Sequence, residues 1–312
     1  MIIEKSQEIV ESIGKVLIGK ENVIRKALMA IYAKGNVLLE DTPGVGKTTL
    51  VLAFAKTLGL DYKRVQFTPD TMPSDITGFT VYNSETGAFD YKTGAAITNL
   101  LMGDEINRAS AKTQSALLEA MEERAVTVDG VTHRLPTPFI CIATQNPVGS
   151  AGTQPLPESQ LDRFMVRLSI GYPDADEQVE ILRRHAASEP LDSLKAVTDR
   201  DNVVEIQNYL GSIKTTDEIL KYMVALVDGT RNHPLIELGV SPRGLLALSR
   251  MVRACAVLEG RDYVIPADIK AVFCDTCAHR VILQPRAKLE GMTARAILEE
   301  LLTTTPAPSL GA

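Results

Sequence analysis

Residues 37–50 read VLLEDTPGVGKTTL. An apolar run ends at Leu39, Pro43-Gly44 and Gly46 turn the chain, and a helical pattern follows from Thr48. Strand, glycine-rich turn and helix, in that order, are the context in which a backbone cradles phosphate. Glycines let several N–H groups face one anion, and the helix N-terminus adds partial positive charge. Lys47 is placed to reach the β- and γ-phosphates, and the Thr48 hydroxyl to ligate Mg²⁺. One position departs from the strict pattern G-x-x-x-x-G-K-[ST]: residue 41, where the first Gly belongs, is Asp. The turn that faces phosphate spans Gly44–Thr48, so residue 41 is the least demanding glycine. Asp also tolerates unusual backbone angles. Its carboxylate is expected to point away from the phosphates, because like charges there would weaken binding.

Working outward, short apolar runs alternate with helical patterns from about residue 36 to 170. Strands are predicted at Asn36–Leu39, Tyr62–Phe67, Leu100–Asp104, Phe139–Thr144 and Met165–Ile170, with helices between them, notably at Thr48–Leu58 and Thr113–Glu122. That alternation predicts an α/β fold, a parallel sheet with helices on both faces. After Tyr172-Pro173 the texture becomes helical. Asp174 with Glu177 reads as a capping box opening a helix at Asp176–Ala187. Further helices are predicted at Asn202–Ser212, Asp217–Asn232, Pro242–Leu258 and Ala267–Val281. This predicts a core over 1–172 and a small all-helical domain over 173–300. The end, TTTPAPSLGA, is small and Pro-rich, and 301–312 is predicted to be a disordered tail. Two segments alternate as hairpins do: Thr77–Gly94 around Asn83–Gly87, and Arg124–Leu135 around Asp129-Gly130.

Composition bounds the function. The 312 residues suit two domains, with 45% apolar and 23% charged residues as in ordinary globular proteins. No apolar run is long enough to span a bilayer, and charges interrupt the apolar positions of MIIEKSQEIVESIGKV, which therefore does not read as a signal peptide. A cytoplasmic location is expected. A net charge of −6 weighs against a dedicated nucleic-acid binder, whose affinity rests on phosphate contacts. Cys274, Cys277 and His279 form CDTCAH, which invites a metal reading. The helical spacing instead puts both thiols on one core-facing side, and no second pair of zinc spacing exists.

Three further stretches carry chemistry. NLLMGDEINRAS ends an apolar run in Asp104 and Glu105. At the carboxyl end of a parallel strand these acids would face the ligand crevice. Their side chains diverge along the strand, which permits two roles: Asp104 to hold Mg²⁺, Glu105 to orient and deprotonate water. FICIATQNP ends a buried strand in Thr144, Gln145 and Asn146. A polar tip there positions water against a γ-phosphate or simply caps a turn. Arg163 in LPESQLDRF and Arg243 in SPRG are candidate phosphate ligands, although most arginines sit in surface ion pairs.

Together TPGVGKTT, LLMGDEINRA, IATQNP, LPESQLDRF and SPRG occur in the order of the AAA+ ATPases. RVQFTPDTMPSDITG and KTQSALLEAMEER resemble its MoxR family in particular, and the likeness runs from about Ile18 to Arg280. The resemblance implies an AAA+ αβα P-loop core with a five-stranded parallel sheet, a helical lid, and ATP with Mg²⁺ bound between them. Pro43, Gly44, Val45, Gly46, Lys47, Thr48 and Thr49 would cradle the phosphates, while Ile18 and Gly19 within Ile18–Val23 would line the adenine pocket. Asn146 matches sensor 1, Arg243 sensor 2, and Arg163 the finger that reaches the neighbouring subunit's γ-phosphate. Gln66 is implied to restrain Glu105 until a partner binds. Thr77–Gly94 matches the helix-2 insert and Arg124–Leu135 the hairpin before sensor 1, both facing a ring surface or pore. The family forms rings, typically hexamers, and acts as chaperone-like remodellers of protein clients, commonly with a von Willebrand A-domain partner. The motor subunit of a metal chelatase is the nearest alternative, and a nucleic-acid motor on the same fold a more remote one. A small-molecule kinase is disfavoured, because a carboxylate pair and a trans arginine suit attack by water.

Overall fold

Short apolar runs without a polar face suit strands buried on both sides, and such strands form the middle of one parallel sheet, while YKRVQ at its edge stays partly exposed. The computed structural model describes residues 2–146, 156–185 and 190–308. Val37–Glu40, Tyr62–Gln66, Leu100–Asp104, Ile140–Gln145 and Val166–Leu168 form the sheet. Across it the order is Tyr62–Gln66, Leu100–Asp104, Ile140–Gln145, Val37–Glu40, Val166–Leu168, all parallel. Every residue of Leu100–Asp104 and Ile140–Gln145 is buried.

Alternation along each strand feeds two cores. Leu39, Leu100, Met102, Ile140 and Ile142 join one cluster, and Leu38, Leu101, Cys141 and Ala143 the other. The first cluster continues without a break into the N-terminal helices Ile2–Gly14 and Glu21–Tyr32 and into helices Pro242–Leu258 and Pro266–Cys277. The second is closed by helix Ala111–Glu123, through Leu117, Leu118 and Met121, and by Phe67, Phe139 and Phe164. The sheet's carboxyl ends thus carry the turns after Glu40, Asp104 and Gln145, which is where an open α/β sheet builds its crevice.

The second half is helical, with Arg200–Tyr209, Asp217–Arg231, Pro242–Leu258 and Pro266–Cys277 at the predicted places. Ser241 caps the third of these, its Oγ accepting from the Gly244 N–H at 3.1 Å, with Pro242 at the first helical position. The capping box forms as expected: Asp174 and Glu177 exchange bonds of 2.8 and 2.9 Å at the start of Ala175–His185. The predicted end of that helix at Ala187 lies outside the described residues, as do Pro147 after strand Ile140–Gln145 and residues 309–312 of the tail.

Two features differ from expectation. The tail does not begin at 301, because helix Ala294–Thr304 runs through it and buries Ile297, Leu298 and Leu301. Thr293 caps that helix, and its apolar positions at helical spacing outweigh the Pro-rich stretch that follows. The helical half also holds a small antiparallel ladder, Ile236–Leu238 with Ile282–Leu283.

Both hairpins are present, Gly78–Asn83 with Ala88–Thr93 and Ala125–Val128 with Val131–Arg134. They dock on each other: the Tyr91 and His133 rings stack at 3.8 Å, and the Thr80 hydroxyl bonds the Asp129 carboxylate. Phe79, Val81, Tyr82, Phe89 and Val131 remain exposed on this pair.

Candidate active site

The loop after Val37–Glu40 closes tightly because Gly44 (φ 86°) and Gly46 (φ 95°) adopt left-handed backbone that residues with a Cβ avoid. Gly46 is the N-cap residue of helix Lys47–Thr57, so that helix points its free N–H groups at the turn. Pro43, Gly44, Gly46, Lys47, Thr48 and Thr49 line a cleft of about 330 Å³ that Asp104, Glu105 and Asn146 complete. Val45 and Ile18 line an adjoining cavity of about 220 Å³, which shares Gly44, Gly46 and Thr49 with the first. Val16, Leu17, Pro173 and Ile181 make its walls largely apolar. Gly19 does not line it; its left-handed backbone packs beneath the Glu177 side chain, where a Cβ would collide.

Lys47 is buried, and its Nζ donates to the Asp41 carbonyl (2.6 Å) and to Asn146 Oδ1 (3.2 Å). Burial pushes its ammonium below the ordinary lysine range, while the charges of Asp41, Asp104 and Glu105 pull the other way. Asn146 then donates from Nδ2 to Glu105 Oε1 (3.0 Å), so one amide links the loop lysine to the candidate base. Glu105 has a left-handed backbone at φ 56°, a strained conformation for a residue with a Cβ. Its N–H donates to Thr144 Oγ1 (2.9 Å), whose hydroxyl donates to Asp104 Oδ1 (2.6 Å). The two adjacent acids are therefore aimed separately by one threonine on the neighbouring strand. Asn107 supports the tip, donating to the Asn146 carbonyl at 3.1 Å, and its own Oδ1 is buried without a partner.

Asp41 answers the question its position raises. Its carboxylate accepts from Ser169 Oγ (2.8 Å), the Ile170 N–H (2.5 Å) and the Gly171 N–H (3.2 Å). It faces the edge strand and ties the base of the loop to it. Its backbone is not left-handed, so the position makes no demand for glycine.

Several partners were not legible in advance. Glu105 is held by Asn146 and by Arg108 (Nη1 to Oε2, 3.0 Å), not by Gln66. The Gln66 amide instead accepts from Arg64 at 2.9 Å, and Arg64 pairs with Asp104 Oδ2 at 2.5 Å. Strand register explains this: Gln66 lies opposite Asp104, and Arg64 two residues back shares its face. The period-2 signal for Arg64 was in the sequence, but the pairing of those two strands was not.

Arg243 does not reach its own chain's phosphate cleft, and helix Pro242–Leu258 contributes nothing to it. Among the described residues of the second half, only Pro173 and Ile181 touch the adjoining cavity. The helical region packs instead on the N-terminal helices and the edge strand, because its apolar faces complete that core. Arg243 sits beside Arg163 in another cleft, of about 560 Å³, which shares no lining residue with the first. Both arginines pair with Glu122, Arg163 at 2.8 Å and Arg243 at 3.2 Å.

The donor set fits a nucleoside triphosphate with a divalent cation: a left-handed glycine turn, a desolvated lysine, a Thr48 hydroxyl, and a carboxylate facing them. Comparison with known proteins agrees. Residues 36–166 match the profile of the ATPase family associated with various cellular activities, and residues 228–301 that of an AAA lid domain. The chain is 36% identical to Chaperone MoxR1 of Mycobacterium tuberculosis, covering 96% of this chain and 81% of that one. It is 34% identical to Protein MoxR of Methylorubrum extorquens over 95% of this chain and 93% of that one.

The chain belongs to the MoxR family of AAA+ ATPases.

It is also 48% identical to the protein YeaC of Bacillus subtilis, over 96% of this chain and 93% of that one. A candidate ATPase from Cytophaga hutchinsonii superimposes with a TM-score of 0.91 at 38% identity, over 99% of this chain and 96% of that structure. The sheet order and the helical region of this MoxR-family chain are thus those of a solved fold.

Proposed function

We propose that this chain hydrolyses ATP to ADP and phosphate as a subunit of a MoxR-type ring, and that it uses the cycle to remodel a protein client. The observation that carries the hydrolytic reading is the Asn146 bridge between Lys47 and Glu105. It sets the charge that neutralises the γ-phosphate and the base that activates water on either side of one amide.

In this reading Pro43–Thr49 bind the phosphates, and Ile18 with the apolar cavity receives the adenine. Thr48 and Asp104 would hold Mg²⁺, which would supply neutralisation of the developing phosphate charge. Asp104 Oδ2, which accepts from Arg64, would have to be released for Asp104 to serve as a metal ligand. Glu105 takes the proton of the attacking water, and Asn146 orients that water. Arg163 and Arg243 act on the nucleotide of a neighbouring subunit. The distance of both from their own loop, in sequence and in the fold, supports that assignment. A hexameric ring is the assembly the family suggests. Residues 1–172 act as the nucleotide-binding core and 173–304 as the lid.

The client-facing surface is assigned to the paired hairpins. Their exposed Phe79, Tyr82 and Phe89 support it, since aromatic side chains held rigidly in water mark interaction sites. A von Willebrand A-domain partner and a cytoplasmic location complete the reading; among the described residues no helix is long and apolar enough to cross a membrane.

Glu105→Gln tests the hydrolytic core. It should bind ATP as the parent does and turn it over roughly 10²- to 10⁴-fold more slowly. Retention of more than a tenth of the parent rate would remove Glu105 as the base. A pull-down with that variant in ATP would identify the client.

A further inference from the structure

We propose that Glu122 is the counter-ion that pairs Arg163 with Arg243 at rest, and that the phosphates of a neighbouring subunit's nucleotide displace it during hydrolysis. This rests on the trans reading of both arginines.

The geometry is specific. Arg163 Nη1 meets Glu122 Oε2 at 2.8 Å, and Arg243 Nη2 meets Oε1 at 3.2 Å. One carboxylate therefore holds two guanidiniums from different halves of the chain, one oxygen to each. Arg163 also donates to the Leu118 carbonyl at 3.0 Å, yet its Nε is buried without a partner. The guanidinium keeps a donor in reserve.

Charge in the surrounding cleft is one-sided. Lys34, Arg124, Arg163, Arg243, Arg250 and Arg280 line it, against the carboxylates of Glu122 and Asp162. Asp162 is committed elsewhere, to Arg280 Nε (2.7 Å) and the Ser241 hydroxyl (3.0 Å). Arg124 is spent on the Phe139 and Lys34 carbonyls. Glu122 is the remaining acid in that lining, and its removal uncovers two adjacent cations shaped for an anion.

Local structure gives Glu122 no reason of its own. It sits in the last turn of helix Ala111–Glu123, where a carboxylate opposes the helix dipole and no basic residue of that turn offsets it. The three side chains are 37%, 31% and 44% exposed, so the pairs are screened and exchangeable. A phosphate offers each guanidinium a bidentate, charge-assisted contact in return. Breaking the two pairs adds to the barrier of the trans reaction. Glu122 is thus a positioning residue that aligns the arginines and also restrains them.

Glu122→Gln keeps the shape and removes the charge. In single-turnover measurements with protein in excess over ATP it should raise the hydrolysis rate roughly three- to tenfold, with ATP affinity within twofold of the parent. The gain should shrink in high salt and vanish in an Arg163→Ala background. A misfolded or loosened variant cannot produce a faster rate at constant affinity. An unchanged or slower rate overturns the proposal, and so does an equal gain from Glu123→Gln, which makes the same charge change one residue away. Mixing Arg163→Ala subunits with Lys47→Ala subunits separates the layers. If mixing restores no hydrolysis, the trans reading itself falls. If it does restore hydrolysis and Glu122→Gln gains nothing, only the role given to Glu122 falls.

Discussion

The phosphate cleft and the arginine cleft of this chain are built by different means. The first is fixed by main chain and short polar groups: two left-handed glycines, a strained Glu105, and the chain of contacts from Thr144 through Asp104 and Glu105 to Asn146. The second is held by long side chains in ion pairs around Glu122 and Asp162. A rigid cradle suits a ligand that must be aligned for attack by water. Exchangeable ion pairs suit the role proposed for that surface, to engage and release a neighbour's nucleotide in every cycle. In the proposed ring the same chain carries both halves of a composite site, and within one chain the two clefts share no lining residue.

Arg163→Ala puts the contrast to its hardest test. Hydrolysis should fall by roughly 10³-fold or more while ATP affinity stays within a few-fold, as for an arginine that acts only on the transition state. A parallel loss of ATP binding would mean that Arg163 belongs to its own chain's cradle, and the two clefts would no longer differ in kind.

Next in size is Asp162→Ala. Arg280 is almost wholly buried, and it donates to Asp162, to the Phe164, Met165 and Asp162 carbonyls, and to the Thr276 carbonyl. Removing its carboxylate leaves a buried cation unpaired, at about 3 kcal/mol of stability by denaturant unfolding. Loss below about 1 kcal/mol would show that the carbonyls alone hold Arg280, and that the arginine cleft is as rigidly framed as the phosphate cleft.

The smallest effect is a pH dependence confined to the arginine side. His279 is buried with its Nε2 at 3.1 Å from the Phe164 carbonyl oxygen, and burial together with the Arg280 charge holds its pKa well below 6.5. Between pH 6.5 and that lowered value the unfolded chain takes up a proton that the folded chain refuses. Stability should therefore be full above pH 6.5 and decline as pH falls below it, by at most about 1.4 kcal/mol per pH unit from this residue. His279→Gln should flatten that slope in thermal melts between pH 5 and 7. An unchanged slope would place the acid sensitivity elsewhere.

Much of this was legible without coordinates, for a physical reason. A phosphate loop, a strand ending in Asp104-Glu105 and a polar strand tip are each made by contiguous residues, so their chemistry is written in order along the chain. Asp41 shows where that legibility ends. Its departure from the glycine pattern was visible and its outward orientation inferable from charge repulsion. Its partners at Ser169, Ile170 and Gly171 were not, because they follow the edge strand Val166–Leu168, far along the chain. The assignment of Gln66 to Glu105 failed on the same ground, since Arg64 and Arg108 occupy both groups through register and a 3₁₀ turn. Helix Ala294–Thr304 was obscured by the Pro-rich stretch after it, although its apolar spacing was present.

By itself the sequence determined the fold class and the family, and it named the candidate residues for phosphate, Mg²⁺ and water, because local spacing and residue chemistry specify those properties. Tertiary structure alone decided that Arg243 leaves its own nucleotide cleft and joins Arg163 on one carboxylate. That outcome depends on where the helical half docks. Docking is set by the burial of its apolar faces against the N-terminal helices and the edge strand, a sum over many distant contacts that no single stretch of sequence contains.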